Sequence, residues 1–427
     1  MFFFMHKKWY SLYDKVYSMA NLKKSFTQVK RNGGASGVDG QSISDFGGNL
    51  SIELSHLQEE LASKTYQPQA VKRVYIDKPD GSQRALGIPA VRDRVVQQCL
   101  LNVLQPIFDP DFHPSSYGYR PKRSAAHAVA KAERFVNHYG LAHVVDMDLS
   151  KCFDTLDHEM ILQGVNRKVS DGSVLGLIVK MLKSGLIEEG QYYRTDKGCP
   201  QGGVISPLLM NIYLDSFDQH MKELGIRIVR YADDILILAR TRSEVGKYRS
   251  LASQYLEGEL LLKVNETKTK LTDNSQGISF LGFIISNRGV RIDPKNLKRF
   301  RNKVRQLSRR NSGKPVILLI GELNQLLRGF ANYFRIGQVK KHYEVLMSWI
   351  RRRLRMCKMR EWKSWKGLHK QLRRMGYQGR FEKISMRRWR NSNCHLIHRA
   401  LPKEWFTAQG LYDMTRVKTN ILHQYYE

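Results

Sequence analysis

The sequence predicts an α+β core, with helices packed on one face of antiparallel hairpins, followed by an all-helical basic module. Three observations predict it. Strand-like and helix-like stretches do not alternate regularly, so a doubly wound parallel sheet is not favoured. Apolar hairpin patterns recur at 71–89, 226–240 and 279–292. From Asp293-Pro294 onward the helical stretches carry Lys and Arg at high density. The charge divides the same way. Residues 295–427 hold 33 Lys and Arg against 7 Asp and Glu, whereas residues 1–294 hold 38 against 32. Solubility needs no such asymmetry, so the last third reads as a grip for a polyanion, with nucleic acid first and an anionic membrane surface second.

Residues 11–30 and 52–64 have helical spacing and bracket a glycine-rich connector, RNGGASGVDG, which lacks the ending of a nucleotide-binding P-loop. The stretch 71–89 reads as strand, turn at Pro79-Asp80-Gly81, and strand. Helices are expected over 90–109 and 124–139, a strand from 143 that ends in acids, and a helix over 157–183. The loop KGCPQGGVISP leads into a helix over 208–221. After the hairpin at 226–240 come a helix over 243–260 and the hairpin at 279–292. Basic helices follow at 295–310, 316–335 and 338–358, and residues 359–427 are rich in Arg, Lys and Trp. No apolar run approaches the roughly 20 residues of a membrane span. Five cysteines with no CxxC pair fit reduced thiols, and a cytoplasmic protein is expected.

The hairpin IRIVRYADDILILAR holds the chemical signal. Asp-Asp is a poor two-residue turn, since such turns favour Asn-Gly or Asp-Gly. Adjacent carboxylates also repel and raise each other's pKa. A divalent cation favours such a pair, because hard ions take carboxylate oxygens. The strand at 143–149 ends in Asp148, with Asp146 before it. Laid beside the hairpin, it brings Asp148 to Asp233 and Asp234, a set able to hold two metals for in-line phosphoryl displacement.

Taken in order, DMDLSKCFDTLDH, GCPQGGVISPLLMNIYLD, YADD and FLGF resemble a reverse transcriptase. With NGGASGVDG, RVYIDKPDGSQRALGIP, DRVVQQ, SSYGYRP, LKVNETKTK and LNQLLRGFANYF, the chain is similar to the bacterial group II intron reverse transcriptase–maturases over roughly residues 20–405. The resemblance implies a right-hand polymerase fold. Its parts would be an N-terminal extension at 1–64, fingers and an antiparallel palm at 65–292, a helical thumb (the maturase segment) at 293–358, and a basic nucleic-acid-binding segment at 359–427. It implies Asp148, Asp233 and Asp234 as catalytic, metal-binding acids, with two Mg²⁺ ions, replaceable by Mn²⁺. Asp146 matches no ligand and reads as packing or solvated. Phe153 falls at the steric gate against ribose, and is equally a core aromatic. Gln201 packs over the incoming nucleotide, while Lys78 and Arg84 reach its triphosphate. Tyr231 is placed near the primer end. Lys268 remains open between phosphate contact and surface charge.

In WIRRRLRMCKMR, apolar residues alternate with Arg351, Arg352, Arg353 and Arg355, which are expected to face outward and bind RNA. Most tryptophans beyond it are expected in a small core. The implied partners are the intron RNA, an RNA template with DNA primer, deoxynucleotides and target DNA, with no membrane. The implied function is an RNA-directed DNA polymerase that assists splicing of its intron and copies it during retrohoming. The alternatives are a host-adopted relative in DNA repair or defence, or mainly an RNA-binding splicing cofactor. Since the sequence ends soon after ALPKEWF with no paired Cys and His, a compact form without an endonuclease domain is expected.

Overall fold

A computed structural model describes residues 8–77, 81, 83–382, 384–390, 392 and 394–426. Most of the N-terminal MFFFMHKKWY, the Pro79-Asp80 turn and Lys78 lie outside the described residues. The strands are β1 (Val71–Asp77), β2 (Gln83–Ile88), β3 (His143–Asp148), β4 (Leu186–Glu188), β5 (Gln191–Tyr193), β6 (Arg227–Tyr231), β7 (Asp234–Ala239), β8 (Lys270–Asp273), β9 (Ile278–Phe280), β10 (Phe283–Ser286) and β11 (Gly289–Ile292). The chain packs as two compact units, divided essentially at residues 273 and 274.

The first unit holds two sheets, ordered β2-β1-β4-β5 and β6-β7-β3-β8. In the second of these every neighbouring pair is antiparallel. β7 is its apolar centre: Ile235, Leu236, Ile237, Leu238 and Ala239 are all buried. Such a continuous apolar run is expected of a strand covered on both faces. Residues 8–64 belong to the same core rather than forming an appendage. Leu22, Phe26, Phe46, Leu54 and Leu57 share one apolar cluster with Val95, Cys99 and Leu100 of the helix Val91–Phe108. The helix expected over 157–183 is two helices, His158–Asn166 and Gly172–Leu182. Asp171 causes the break: its carboxylate caps the second helix and also accepts from the N–H groups of Leu12 and Tyr13. Strands β4, β5 and β8 fall where the sequence reading placed none. They are three or four residues long, too short to show a period.

The second unit holds the sheet β11-β10-β9 and a set of helices. Its first helix, Pro294–Leu307, starts at the Asp-Pro pair, with Asp293 as cap and Pro294 at the first helical position. Helices Val316–Phe334 and Lys340–Glu361 follow. Rings bind this unit together: Phe300 stacks on Phe330 at 3.9 Å between centroids, and Phe334 meets Phe283 at 5.0 Å. Among the described residues no helix is long and apolar enough to cross a membrane.

Candidate active site

Strand register alone brings the predicted acids together. Asp148, the last residue of β3, lies directly opposite Asp234, the first residue of β7. Opposed residues of this kind have Cα atoms about 4.5–5.5 Å apart. Asp234 also pairs with Tyr231 of β6, so the turn consists of Ala232 and Asp233. The turn is therefore Ala-Asp, not Asp-Asp, and Ala232 takes the left-handed conformation, φ +60°. All three acids are half-buried.

The electrostatics of this cluster are unfavourable without a cation. Burial, then the charges of Asp233, Asp146 and Asp148, push the Asp234 carboxyl up to about 7. Burial, then Asp148, hold Asp146 up at about 6, so this residue joins the cluster rather than standing in solvent. Asp233 is raised as well, chiefly by burial. Arg84, on β2 opposite Ile76, opposes the rise at both Asp233 and Asp234.

Lys268 now has a place. Its ammonium stands 3.3 Å from Asp148 Oδ2, and the same oxygen accepts from Asn265 Nδ2 at 3.1 Å. A backbone bond from Asn265 N–H to the Asp148 carbonyl fixes the NETK segment at the end of β3. Among the described residues, no three His, Cys, Asp or Glu side chains are grouped so as to hold a metal ion as they stand. The donor chemistry nonetheless suits a hard divalent ion: half-buried carboxylates, with Asp233 and Asp234 held above their ordinary pKa and Asp148 paired with an ammonium.

Phe153 follows β3, and Gln201 precedes the helix Ser206–Glu223. Phe153 is buried, in the short helix Cys152–Thr155, and meets Tyr119 edge-on at 6.4 Å. Tyr119 is half exposed and close enough to Asp233 for that charge to raise its phenol, after burial. Gln201 accepts from the Gly87 N–H at 2.6 Å through its carbonyl. It lines a cavity of about 320 Å³ with Arg73, Lys151, Asp154, Arg194 and Lys197. Gly202 is required there: at φ +118° a Cβ would sit 2.3 Å from the Gly87 carbonyl oxygen. Sequence reasoning missed Tyr119, Asn265 and the Arg73–Asp154 pair at 3.7 Å. Tyr119 sits inside the quoted SSYGYRP, so its signal was present without an assigned role.

The four arginines of the second unit do not share one fate, which corrects the expectation that all face outward. Arg352 is exposed and Arg351 partly so. Arg353 instead donates to Ser308 Oγ at 2.7 Å and to the Ser308 carbonyl at 2.9 Å. Arg355 is buried, donating to the Leu401 carbonyl at 2.9 Å, and burial lowers its pKa to about 10. Four residues cover more than one helical turn, so adjacent arginines must point to different faces. Of the tryptophans beyond, Trp389 is buried and Trp365 exposed.

Comparison with known proteins bears on this arrangement. Residues 76–285 match the family model for reverse transcriptase (RNA-dependent DNA polymerase). Residues 297–376 match that for the group II intron maturase-specific domain. Protein YkfC of Escherichia coli (strain K12) is 38% identical over 283 residues, 58% of this chain and 74% of that protein. The chain belongs to the group II intron reverse transcriptase–maturase family. The group II intron-encoded protein LtrA of Lactococcus lactis subsp. cremoris is 28% identical over 298 residues, 55% of this chain and 49% of LtrA. The chain thus spans about half the length of that relative. Telomerase from Candida albicans, solved with a TWJ fragment of telomeric RNA, overlaps 69% of this chain and 58% of its own at a TM-score of 0.42 and 12% identity, too loose a likeness to argue from. Reverse transcriptase–maturases act on nucleic acid and use divalent metal ions.

Proposed function

We propose that this chain is an RNA-directed DNA polymerase that binds its intron RNA, assists splicing as a maturase, and copies the intron into cDNA during retrohoming. The observation that carries the reading is the register pairing of Asp148 with Asp234 beside Asp233, which sets the charges of Asp148 and Asp233 against the raised Asp234 carboxyl. In this reading Asp148, Asp233 and Asp234 hold two Mg²⁺ ions, with Mn²⁺ able to replace them. The ions, when bound, activate the primer hydroxyl and carry the triphosphate charge.

The protein's own residues do the rest. Arg84, with Lys78 beyond the described part of the hairpin, neutralises phosphate oxygens, and the planar guanidinium suits bidentate contact. Phe153 closes the sugar pocket against a 2′-hydroxyl. Gln201 and Gly202 bring backbone against the incoming base. Tyr231, opposite Asp234, supports the primer end. Lys268, paired with Asp148 at the end of β3, would serve as a phosphate contact. The exposed basic residues of the second unit contact RNA and target DNA, and the site of action is cytoplasmic. Primer extension on an RNA template with Mg²⁺ and deoxynucleotides tests the reading. Asp233→Ala should lower the rate by about 10²–10³-fold or more. Equal, negligible product from both proteins would favour the splicing-cofactor alternative.

A further inference from the structure

We infer that Arg230 is a positioning residue, which holds the Ala232–Asp233 turn in the geometry the proposed cation site needs. Its functional meaning rests on the polymerase reading above; its geometry does not. Arg230 and Asp218, of the helix Ser206–Glu223, are both fully buried. Arg230 Nε donates to the two Asp218 oxygens at 2.8 and 2.9 Å, and Nη2 donates to Oδ2 at 2.5 Å. Nη1 reaches the other way, to Asn211 Oδ1 and to the carbonyl of Ala232, both at 3.0 Å.

The turn is gripped from a second direction. The Arg230 N–H donates to the Ser115 carbonyl, and the Arg230 carbonyl accepts from the Tyr117 N–H, each at 2.9 Å. Asn211 Nδ2 donates to the Gly118 carbonyl at 2.9 Å. A Cβ on Gly118 would come within 2.2 Å of the Ala232 nitrogen. The Arg230 guanidinium therefore ties the helix that follows the PQGG loop to the turn carrying the acids, while the Arg230 backbone and Asn211 tie in the SSYGY segment.

An ion pair is a poor choice here if stability is the purpose. Well-packed apolar residues of similar volume are often as stable as a buried pair, or more so. Apolar side chains cannot, however, donate to a carbonyl. Ala232 is held at positive φ, which a non-glycine residue adopts only when its surroundings impose it. Its carbonyl belongs to the peptide that leads into Asp233, so the bond from Nη1 sets the plane from which Asp233 departs. Asp218 offsets much of the guanidinium charge, and the arginine's donors are spent on Asp218, Asn211 and the Ala232 carbonyl rather than on the Asp233 carboxylate.

The test uses the full chain and Mn²⁺ as probe, with the double variant Asp218→Leu/Arg230→Met. It should melt within a few degrees of wild type, while Mn²⁺ affinity by electron paramagnetic resonance and kcat for primer extension each fall about 10–100-fold. KM for primer–template should stay unchanged, and Arg230→Lys should lose less than the double variant. If the double variant fails to fold, Asn211→Ala, which keeps the ion pair and removes one arm, should still weaken Mn²⁺ binding by about 10-fold. Variants that fold and bind Mn²⁺ within about twofold of wild type, with kcat kept, overturn the inference. Wild type that binds Mn²⁺ but extends no primer overturns the polymerase reading instead, and the Mn²⁺ comparison still decides the role of Arg230.

Discussion

The acids of the β6-β7-β3-β8 sheet and the arginines of the helix Lys340–Glu361 are both charged clusters, but they are built on opposite terms. In the sheet, a few like charges are forced together by register, half-buried and raised in pKa. In the helix, many like charges crowd the sequence, and the fold separates them: Arg352 to solvent, Arg353 to Ser308, Arg355 to Leu401. Repulsion that the helix relieves by rotation is retained in the sheet. Retained repulsion marks the place where an external ion has work to do; relieved repulsion marks structure.

The sharpest way to break this contrast is at Phe153, a buried residue that is also the proposed sugar gate. Phe153→Ala should raise ribonucleotide use relative to deoxynucleotide, and should also destabilise by about 3–5 kcal/mol because the ring is buried. Competition between the two nucleotides and a thermal melt read the two effects separately. An unchanged ratio removes Phe153 from the gate and leaves it a core residue.

Next in size is a comparison within the helix. Neutralising Arg353 and Arg355 to Gln should cost about 1–3 kcal/mol of stability, since carbonyls at Ser308 and Leu401 lose their donors. Neutralising Arg351 and Arg352 should leave the melt unchanged and reduce the slope of log K for RNA binding against log salt by about 1–2. Salt titrations of both variants check this. A slope that falls only for Arg353 and Arg355 would invert the assignment.

The smallest effect concerns pH. Asp234, at about 7, and Asp146, at about 6, bind protons more tightly folded than unfolded. Without divalent ions stability should therefore fall as pH rises from about 4 through about 7, the direction linkage requires when the native state holds more protons. Mg²⁺ at pH 8 should restore a few degrees of melting temperature, and Asp234→Asn should gain a similar amount while losing most of the Mg²⁺ response. Polymerase activity should rise with pH across the same window. A melt that is flat from pH 5 to 8 without metal would show the acids to be well solvated.

Much of the site was legible because its residues sit in short, ordered blocks. Asp148 could be placed beside Asp233 and Asp234 by putting two apolar strands side by side, and the fold does so. Other parts were legible only in kind. Lys268 was visible as a charge, but its partner, Asp148, is 120 residues away. Arg230 lies next to Tyr231 in the quoted hairpin, yet nothing local says that its side chain turns inward to Asp218 rather than outward to solvent. The break at Asp171 was missed because helical spacing continues on both sides, and, beside its local capping bonds from Ser173 and Val174, its carboxylate is fixed by the Leu12 and Tyr13 N–H groups from the far end of the chain.

The amino-acid order by itself determined the types of the longer elements, the placing of basic residues after Asp293, and the presence of acids at the end of β3 and around the turn before β7. These follow from side-chain period, backbone preference and charge count, all local properties. Only the tertiary structure decided that Asp146 joins the acids, that Arg353 and Arg355 are fasteners, and that a buried guanidinium holds the turn. Those outcomes depend on which surfaces close over a charge, and burial is a property of the packed chain rather than of any segment.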